Sequence, residues 1–395
     1  MMIFQEKLYL GDEMNLQLFN LLKKCGIIFF GTILFFTFQA MAKSSITKEQ
    51  AAEVLKLATE KAAPDNRVSY FNIKAQPFGT KIILTGKVLT DDQKVIVHAA
   101  FQKLGDVDNK IEVFPFSDIG RNKSYGITKS PVLNIRGANK HSSELISQAL
   151  MGSTMLILEA EEKWLKVQFE EDKYIGWVEK SNVVMTDSQN MESWKNEKKI
   201  MITKPINFLY AKPDVNSPVV AKIYYTTKLT LTQMSTLEQN KNFYKVQLPY
   251  GPCAFLKIEN AKIDPSQVAS DIVKKEIVNE AKKFLTTPYL WGGTTSMMTD
   301  CSGFTQTIYK FYGYSLPRDA DQQQSATKPV NKIEELKVGD LVFFPGHVGM
   351  YIGNMKFIHS SASLGGVSIS SFDPKASDYF EWCAKNFKGG GRVLE

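Results

Sequence analysis

The sequence predicts a multidomain α+β protein, and three observations carry that prediction. The chain has 395 residues, more than one hydrophobic core usually serves. Its hydrophobic pattern mixes helical and strand periods near the start, settles into short strands from about residue 126, and turns helical again near residue 270. One stretch of strands also repeats: EKWLKVQFEEDKYIGWVEKSNVV (162–184) aligns with NKNFYKVQLPYGPCAFLKIENAK (240–262), sharing aromatic-x-Lys-Val-Gln. Apolar content of 44% and charged content of 23% are ordinary for folded protein, which sets disorder aside. The net charge of +7 comes from scattered basic residues, as on a solvated surface, and gives no reason to expect nucleic acid as a partner.

The first 42 residues read as a secretory signal. Lys23 and Lys24 precede an apolar run to Phe38, and Ala40-Met41-Ala42 is a small-x-small cleavage pattern before Lys43, with Met14 as an alternative start. The run is short for a membrane span, so no stable span is expected after cleavage; an uncleaved anchor is the alternative. The expected location is exported, in a periplasm, with secretion beyond it as the other possibility. The mature chain would keep Cys253, Cys301 and Cys383, an odd number, so at least one thiol stays unpaired.

The elements follow in order. Residues 43–120 predict a helix ending near Pro64, two strands (VSYFNIKAQ and TKIILTGKV) joined at 77–79, a second helix capped by Asp91, and a closing strand NKIEVFPF. This αββαβ pattern, with its LTGKV strand, resembles a BON-like domain. His98 reads as structural. The two copies of the repeat span 126–186 and 200–263, each a set of short strands with turn residues between them, which predicts two small β-barrels. With LNIRGAN and GWVEKSNV they resemble tandem bacterial SH3-like domains, the second departing at Cys253-Ala254-Phe255. Trp164 and Trp177 are read as barrel core, with a ligand-stacking surface as the alternative. The polar segment 187–199 reads as a linker. From 266 to 395 a last module opens on an amphipathic helix with Ile272, Val273, Ile277, Ala281, Phe284 and Leu285 on one stripe.

Chemistry concentrates in this last module. Cys301, in MTDCSGFTQTIYKFYG, lies at the start of a helix whose face carries Phe304, Ile308, Phe311 and Tyr312. A helix N-terminus is expected to lower a thiol pKa. His347 and His359 lie on two strands around a turn at Gly353-Asn354. A two-residue loop at 353–354 would put the histidines on opposite faces; a three-residue loop at 353–355, or a bulge, would put them on one face. A Cys–His pair with a third polar group is a nucleophilic constellation. A buried thiol with structural histidines and a Cys–His–His zinc site stay open on these residues alone.

The blocks TPYLWGG (287–293), DCSGF (300–304), LPRDADQQ (316–323), GDLVFF (339–344), HVGMYIG (347–353) and FIHSS (357–361) resemble, in order and spacing, the NlpC-type family of papain-like cell-wall cysteine peptidases. The resemblance implies a papain-like α+β domain with Cys301 as nucleophile, His347 as general base and His359 as the orienting third member. It also implies a Tyr289 hydroxyl assisting the oxyanion or the substrate, and Asp300 and Ser302 receiving a free α-amine, with helix capping as their other use. Arg318 and Asp319 match the family's Pro-Arg-Asp turn, read first as an ion pair holding the site wall and second as a substrate contact. No metal or cofactor is implied. The implied activity is hydrolysis of peptidoglycan stem peptides at the bond from γ-D-glutamyl to a diamino acid, meso-diaminopimelate or Lys. The preceding SH3-like pair would restrict it to stems with a free N-terminal L-Ala, if that pair walls the cleft. A wall-binding scaffold and a papain-like amidase or acyltransferase acting on another amide or on lipid are the alternatives.

Overall fold

A computed structural model describes residues 45–234, 242–265 and 267–394; the expected signal, 1–42, lies outside them. The chain opens with helix α1 (Lys48–Ala62), strands β1 (Phe71–Phe78) and β2 (Lys81–Val88), helix α2 (Asp91–Gln102) and strand β3 (Asp106–Val113). Both helices start at capping boxes, Thr47 with Gln50 and Thr90 with Gln93, so Thr90 is the cap where Asp91 was expected. β1 and β2 form an antiparallel hairpin, and α2 crosses over to lay β3 parallel to β2. Val97 and Phe101 of α2 and Ala51 and Ala58 of α1 bury against Ile82, Leu84 and Ile111.

Seven strands follow: β4 (Tyr125–Thr128), β5 (Val132–Arg136), β6 (Leu145–Leu150), β7 (Thr154–Ala160), β8 (Trp164–Phe169), β9 (Ile175–Glu179) and β10 (Val183–Thr186). They form one sheet in the order β10-β4-β7-β8-β9-β5-β6. Leu165, Val167 and Val178 point into its core, and strand alternation therefore turns Trp164 and Trp177 outward. Trp164 packs on His141 with ring centroids 5.2 Å apart, and Lys166 Nζ lies 5.8 Å from the Trp177 ring. The two tryptophans are thus not barrel core.

The segment expected as a linker forms helix α3 (Ser188–Asn196). Met191 and Trp194 are buried with Ile127, and Trp194 Nε1 donates to the Gly152 carbonyl at 3.1 Å. Two apolar residues one turn apart in a nine-residue helix are too few to show a period in a polar stretch. Strands β11 (Lys199–Ile202), β12 (Ile206–Tyr210), β13 (Val219–Tyr224), β14 (Lys228–Met234), β15 (Phe243–Gln247), β16 (Cys253–Lys257) and β17 (Ala261–Ile263) build a second sheet, ordered β13-β12-β16-β15-β14-β11-β17. Read from the other edge, this is the strand order of the first sheet.

The last part comprises α4 (Ser270–Lys282), α5 (Cys301–Phe311), α6 (Ala320–Ser325), β18 (Lys328–Val330), β19 (Leu341–Phe344), β20 (His347–Gly353), β21 (Lys356–Ser361), β22 (Gly366–Ser371), α7 (Glu381–Lys385) and β23 (Gly390–Arg392). Its antiparallel sheet runs β18-β23-β19-β20-β21-β22. Val273, Ile277 and Ala281 of α4 and Phe304 and Ile308 of α5 form one core with Val348, Met350 and Ile358 of the sheet. Ile272 and Leu285, expected on the buried stripe, are exposed. The two seven-stranded sheets both hold this part. From the first, Gln148 binds Thr294, with its side-chain oxygen accepting from the Thr294 N–H at 3.2 Å. From the second, Tyr225 O–H donates to Glu280 at 2.6 Å. No helix among the described residues is long and apolar enough to cross a membrane.

Candidate active site

Cys301 is the first residue of α5, and the Asp300 side chain caps that helix by accepting from the Gly303 N–H at 2.7 Å. A Cβ on Gly303 would lie 2.1 Å from the Gly293 carbonyl oxygen, so only glycine lets the 287–299 loop pack on the helix start. The backbone N–H groups of Val348 and Ser302 face the sulfur. Burial nevertheless pushes the thiol up to about 11, with the Asp300 charge adding to the rise. This reverses the expectation of a lowered pKa: Cys301 is only 8% exposed, and the loss of solvation outweighs the helix end.

The histidines meet. His347 Nε2 lies 2.7 Å from His359 Nδ1, and His359 Nε2 lies 3.0 Å from Ser370 Oγ on the next strand. The turn is a two-residue one at Asn354-Met355, both with positive φ, closed by the pair Gly353–Lys356. That turn alone would place the histidines on opposite faces. A bulge between Tyr351 and Gly353 restores the pairing Met350–Ile358, which puts His359 opposite Gly349 and beside His347. His359 is fully buried against Phe357 and within 6.0 Å of Phe380. Burial holds His347 down to about 4, against an upward pull from Asp300, and His359 down to about 3. Near neutral pH the site therefore holds a thiol and two neutral imidazoles. His359 spends both ring nitrogens on His347 and Ser370. Among the described residues no cluster of three or more His, Cys, Asp or Glu forms a metal-holding group.

Asp300 is saturated. It accepts from Arg318 Nη2 at 2.5 Å and Nη1 at 3.2 Å, from the N–H groups of Gly292 and Gly303 at 2.9 and 2.7 Å, and from Ser302 Oγ at 3.3 Å. Five donors fill the acceptor capacity of a carboxylate, and Ser302 Oγ also accepts from Arg318. The expected amine-binding use of Asp300 and Ser302 is thus replaced by a buried ion pair with Arg318, which also donates to Ser147 Oγ at 2.8 Å. Arg318 does not pair with its neighbour Asp319. Asp319 accepts instead from Tyr174 O–H at 2.9 Å and Arg67 Nη1 at 3.0 Å.

A cleft of about 420 Å³ opens over this centre, lined by Cys301, His347 and Tyr289 on one side. Burial, and then the neighbouring Cys301 and Asp300 charges, push the Tyr289 hydroxyl up to about 12, which keeps it a hydrogen-bond donor. The other walls come from elsewhere in the chain: Ile146 from the first seven-stranded sheet, Glu144 and Tyr174 from the loops that join its strands, and Arg67 from the N-terminal αββαβ unit. Trp291 Nε1 donates to Glu144 at 2.7 Å across this junction, and a Cβ on Gly292 would lie 2.4 Å from the Leu145 carbonyl oxygen. Trp291 stands inside a block already singled out. Glu144, Tyr174, Arg67 and Ser370 carry no local signal, since only the fold brings them here. Cys253, Cys301 and Cys383 are all unpaired.

Comparison with known proteins finds relatives for both the first seven-stranded sheet and the last part of the chain. The NlpC/P60 family model matches residues 286–385, and the model for the bacterial dipeptidyl-peptidase Sh3 domain matches 135–183. A γ-D-glutamyl-L-lysine dipeptidyl-peptidase of Bacillus cereus is 33% identical over 260 residues, covering 61% of this chain and 75% of that protein. Dipeptidyl-peptidase 6 of Lysinibacillus sphaericus is 28% identical, covering 58% and 85%. Among solved structures, an NlpC/P60 family protein from Bacillus cereus superposes with a TM-score of 0.57 at 27% identity, over 69% of this chain and all of that one. An NlpC/P60 endopeptidase from Photobacterium damselae shares the fold over 88% of this chain, with a TM-score of 0.51 at 12% identity. With a thiol at a helix start, a histidine pair on the facing hairpin and this extent of likeness, the chain belongs to the NlpC/P60 family of cysteine peptidases.

Proposed function

We propose that this protein is an exported peptidoglycan hydrolase that removes L-Ala-γ-D-Glu from stem peptides, cutting the γ-D-glutamyl bond to the diamino acid. The hydrogen-bonded line from His347 through His359 to Ser370, in one cleft with Cys301, carries the reading. The chemistry needs His347 Nε2–H to donate to His359 Nδ1, and His359 Nε2–H to donate to Ser370. This polarity leaves His347 Nδ1 as the base. It takes the Cys301 proton as the sulfur attacks the scissile carbonyl, then returns it to the leaving amine. The carbon–nitrogen bond breaks as a thioester forms, and water, deprotonated by the same nitrogen, releases the dipeptide and the thiol. The Tyr289 hydroxyl and the Cys301 N–H are the oxyanion donors.

Relatives named as dipeptidyl-peptidases support the substrate class. The walled cleft supports the requirement for a free N-terminal L-Ala. With Asp300 consumed, the α-amine falls to Glu144 and Asp319, two further carboxylates that line the cleft. The second seven-stranded sheet is read as another SH3-like copy because its strand order repeats the first. The αββαβ order of residues 47–113 supports the BON-like reading. The first 42 residues are read as the export signal and a periplasm as the location.

The test is mass spectrometry of L-Ala-γ-D-Glu-meso-diaminopimelate, its Lys counterpart, their N-acetylated forms and intact sacculi, each with wild type and Cys301→Ala. Release of L-Ala-γ-D-Glu from the free-amine peptides by wild type alone is expected. Equal release by the variant would sink the mechanism.

A further inference from the structure

We infer that Arg67, delivered by the N-terminal αββαβ unit, is a positioning residue of the cleft: it fixes Asp319 as the acceptor of the substrate's α-amine and thereby sets the preference for unacylated stems. The inference rests on the reading proposed above.

Arg67 lies between α1 and β1, far in sequence from Cys301, yet lines the same cleft. Its segment is tied down from three sides. The Ile175 N–H donates to the Arg67 carbonyl at 2.7 Å, Gln168 Nε2 donates to the Val68 carbonyl at 2.6 Å, and Gln322 Nε2 donates to Asp65 at 2.7 Å. The guanidinium then gives every N–H to a carboxylate. Nε and Nη2 bind Asp65, both at 2.9 Å. Nη2 also binds Asp321 at 2.7 Å, and Nη1 is shared between Asp321 at 2.9 Å and Asp319 at 3.0 Å. No donor is left to hold a substrate carboxylate, so Arg67 acts through its neighbours.

The neighbours explain what it does. Asp65, Asp319 and Asp321 converge on one cation, and without it like charges would push them apart. Asp319 and Asp321 both line the nucleophile's cleft, and of the two it is Asp319 whose Oδ2 is held by Arg67 on one side and Tyr174 on the other. Two fixed donors on one oxygen orient the carboxylate. These pairs are partly exposed, with the Arg67 side chain 36% accessible, so they stabilise the fold only modestly. Their effect falls on geometry, which is what amine recognition needs.

The full-length protein is assayed with L-Ala-γ-D-Glu-diaminopimelate and its N-acetylated form. Arg67→Ala should raise KM for the free-amine peptide about tenfold with kcat within about twofold, and reduce the preference over the N-acetylated peptide about as much. Arg67→Gln, which keeps the aliphatic stem and a polar end without the charge, should do the same if the alanine variant folds poorly. Asp319→Asn should give a similar loss, and the double variant Arg67→Ala/Asp319→Asn no more than Asp319→Asn alone. Additive losses, an unchanged KM in a folded Arg67 variant, or kcat and KM falling together with melting temperature in both Arg67 variants would overturn the inference. Failure of wild type to cleave the free-amine peptide at all would instead sink the functional reading on which it rests.

Discussion

His347 Nε2 and His359 Nδ1 are 2.7 Å apart, and no proton can sit between them without choosing a direction for the whole line to Ser370. If His347 donates, its other nitrogen is a base; if His359 donates, that base is gone. His359→Ala should therefore lower kcat by about 10²-fold or more with little change in KM. Ser370→Ala removes one hydrogen bond, ~1 kcal/mol, and should cost about fivefold. Steady-state kinetics on the tripeptide checks both. A Ser370→Ala loss as large as that of His359→Ala would show the order of importance to be wrong.

Gly349 is the residue across from His359. A Cβ there would stand 3.1 Å from the His359 Cβ, the Ile358 carbonyl oxygen and Phe357 Cδ2 at once. Gly349→Ala should destabilise by about 1–3 kcal/mol through overpacking and lower kcat by displacing the imidazole. Urea unfolding and kinetics measure the two effects. Unchanged values in both would mean that the strands part to admit a methyl group.

The pH profile follows from burial. An ordinary imidazole titrates near 6.5, and His347 is held down to about 4. As the proposed base it must be neutral, so the acid limb of kcat/KM should lie near 4, and an inflection near 6.5 would contradict the buried neutral pair. Cys301, pushed up to about 11, should react slowly with iodoacetamide at neutral pH and faster toward that value. Stability moves in a definite sense. Both histidines have folded values below the unfolded one, so their contribution is fully present above 6.5. It is lost as pH falls through about 4 and then about 3, where the unfolded chain has bound protons first.

Asp300 and Arg318 are 2.5 Å apart with almost no exposure. Asp300→Ala leaves a buried guanidinium without its counter-charge and should lower the unfolding free energy by about 3–5 kcal/mol. Pairing it with Arg318→Met should recover part of that loss. Chemical denaturation of the two variants decides, and a double variant no better than the single would mean that packing rather than charge holds the site.

Much of this site was readable in one dimension, and the limit lies where contacts become long-range. Cys301, His347 and His359 stand in blocks whose local patterns name their elements. The stripe Val273, Ile277, Ala281 declares a buried helix face because a helical period is a local property. The bulge before Gly353 has no composition signal, and it alone decides that the two histidines share a face. Asp300 beside Cys301 is open to several uses in the sequence, and only the fold brings Arg318, 18 positions on, to supply two of its five donors. The outward turn of Trp164 and Trp177 rests on a strand phase that hydrophobicity alone assigns the wrong way, since an indole counts as apolar on either face. Arg67 and Asp319 are separated by 252 positions, and no reading of either neighbourhood joins them.

The cleft draws on different parts of the chain: Cys301, His347 and Asp319 come from the last module, and Arg67, Glu144 and Tyr174 from the parts ahead of it. On the proposed roles, part of the substrate choice can then drift under selection apart from the sulfur chemistry. A substitution at 144 or 174 can admit a new peptide while the sulfur chemistry stays whole, and exchanging the forward modules between relatives offers a route to new specificities that leaves the nucleophile untouched.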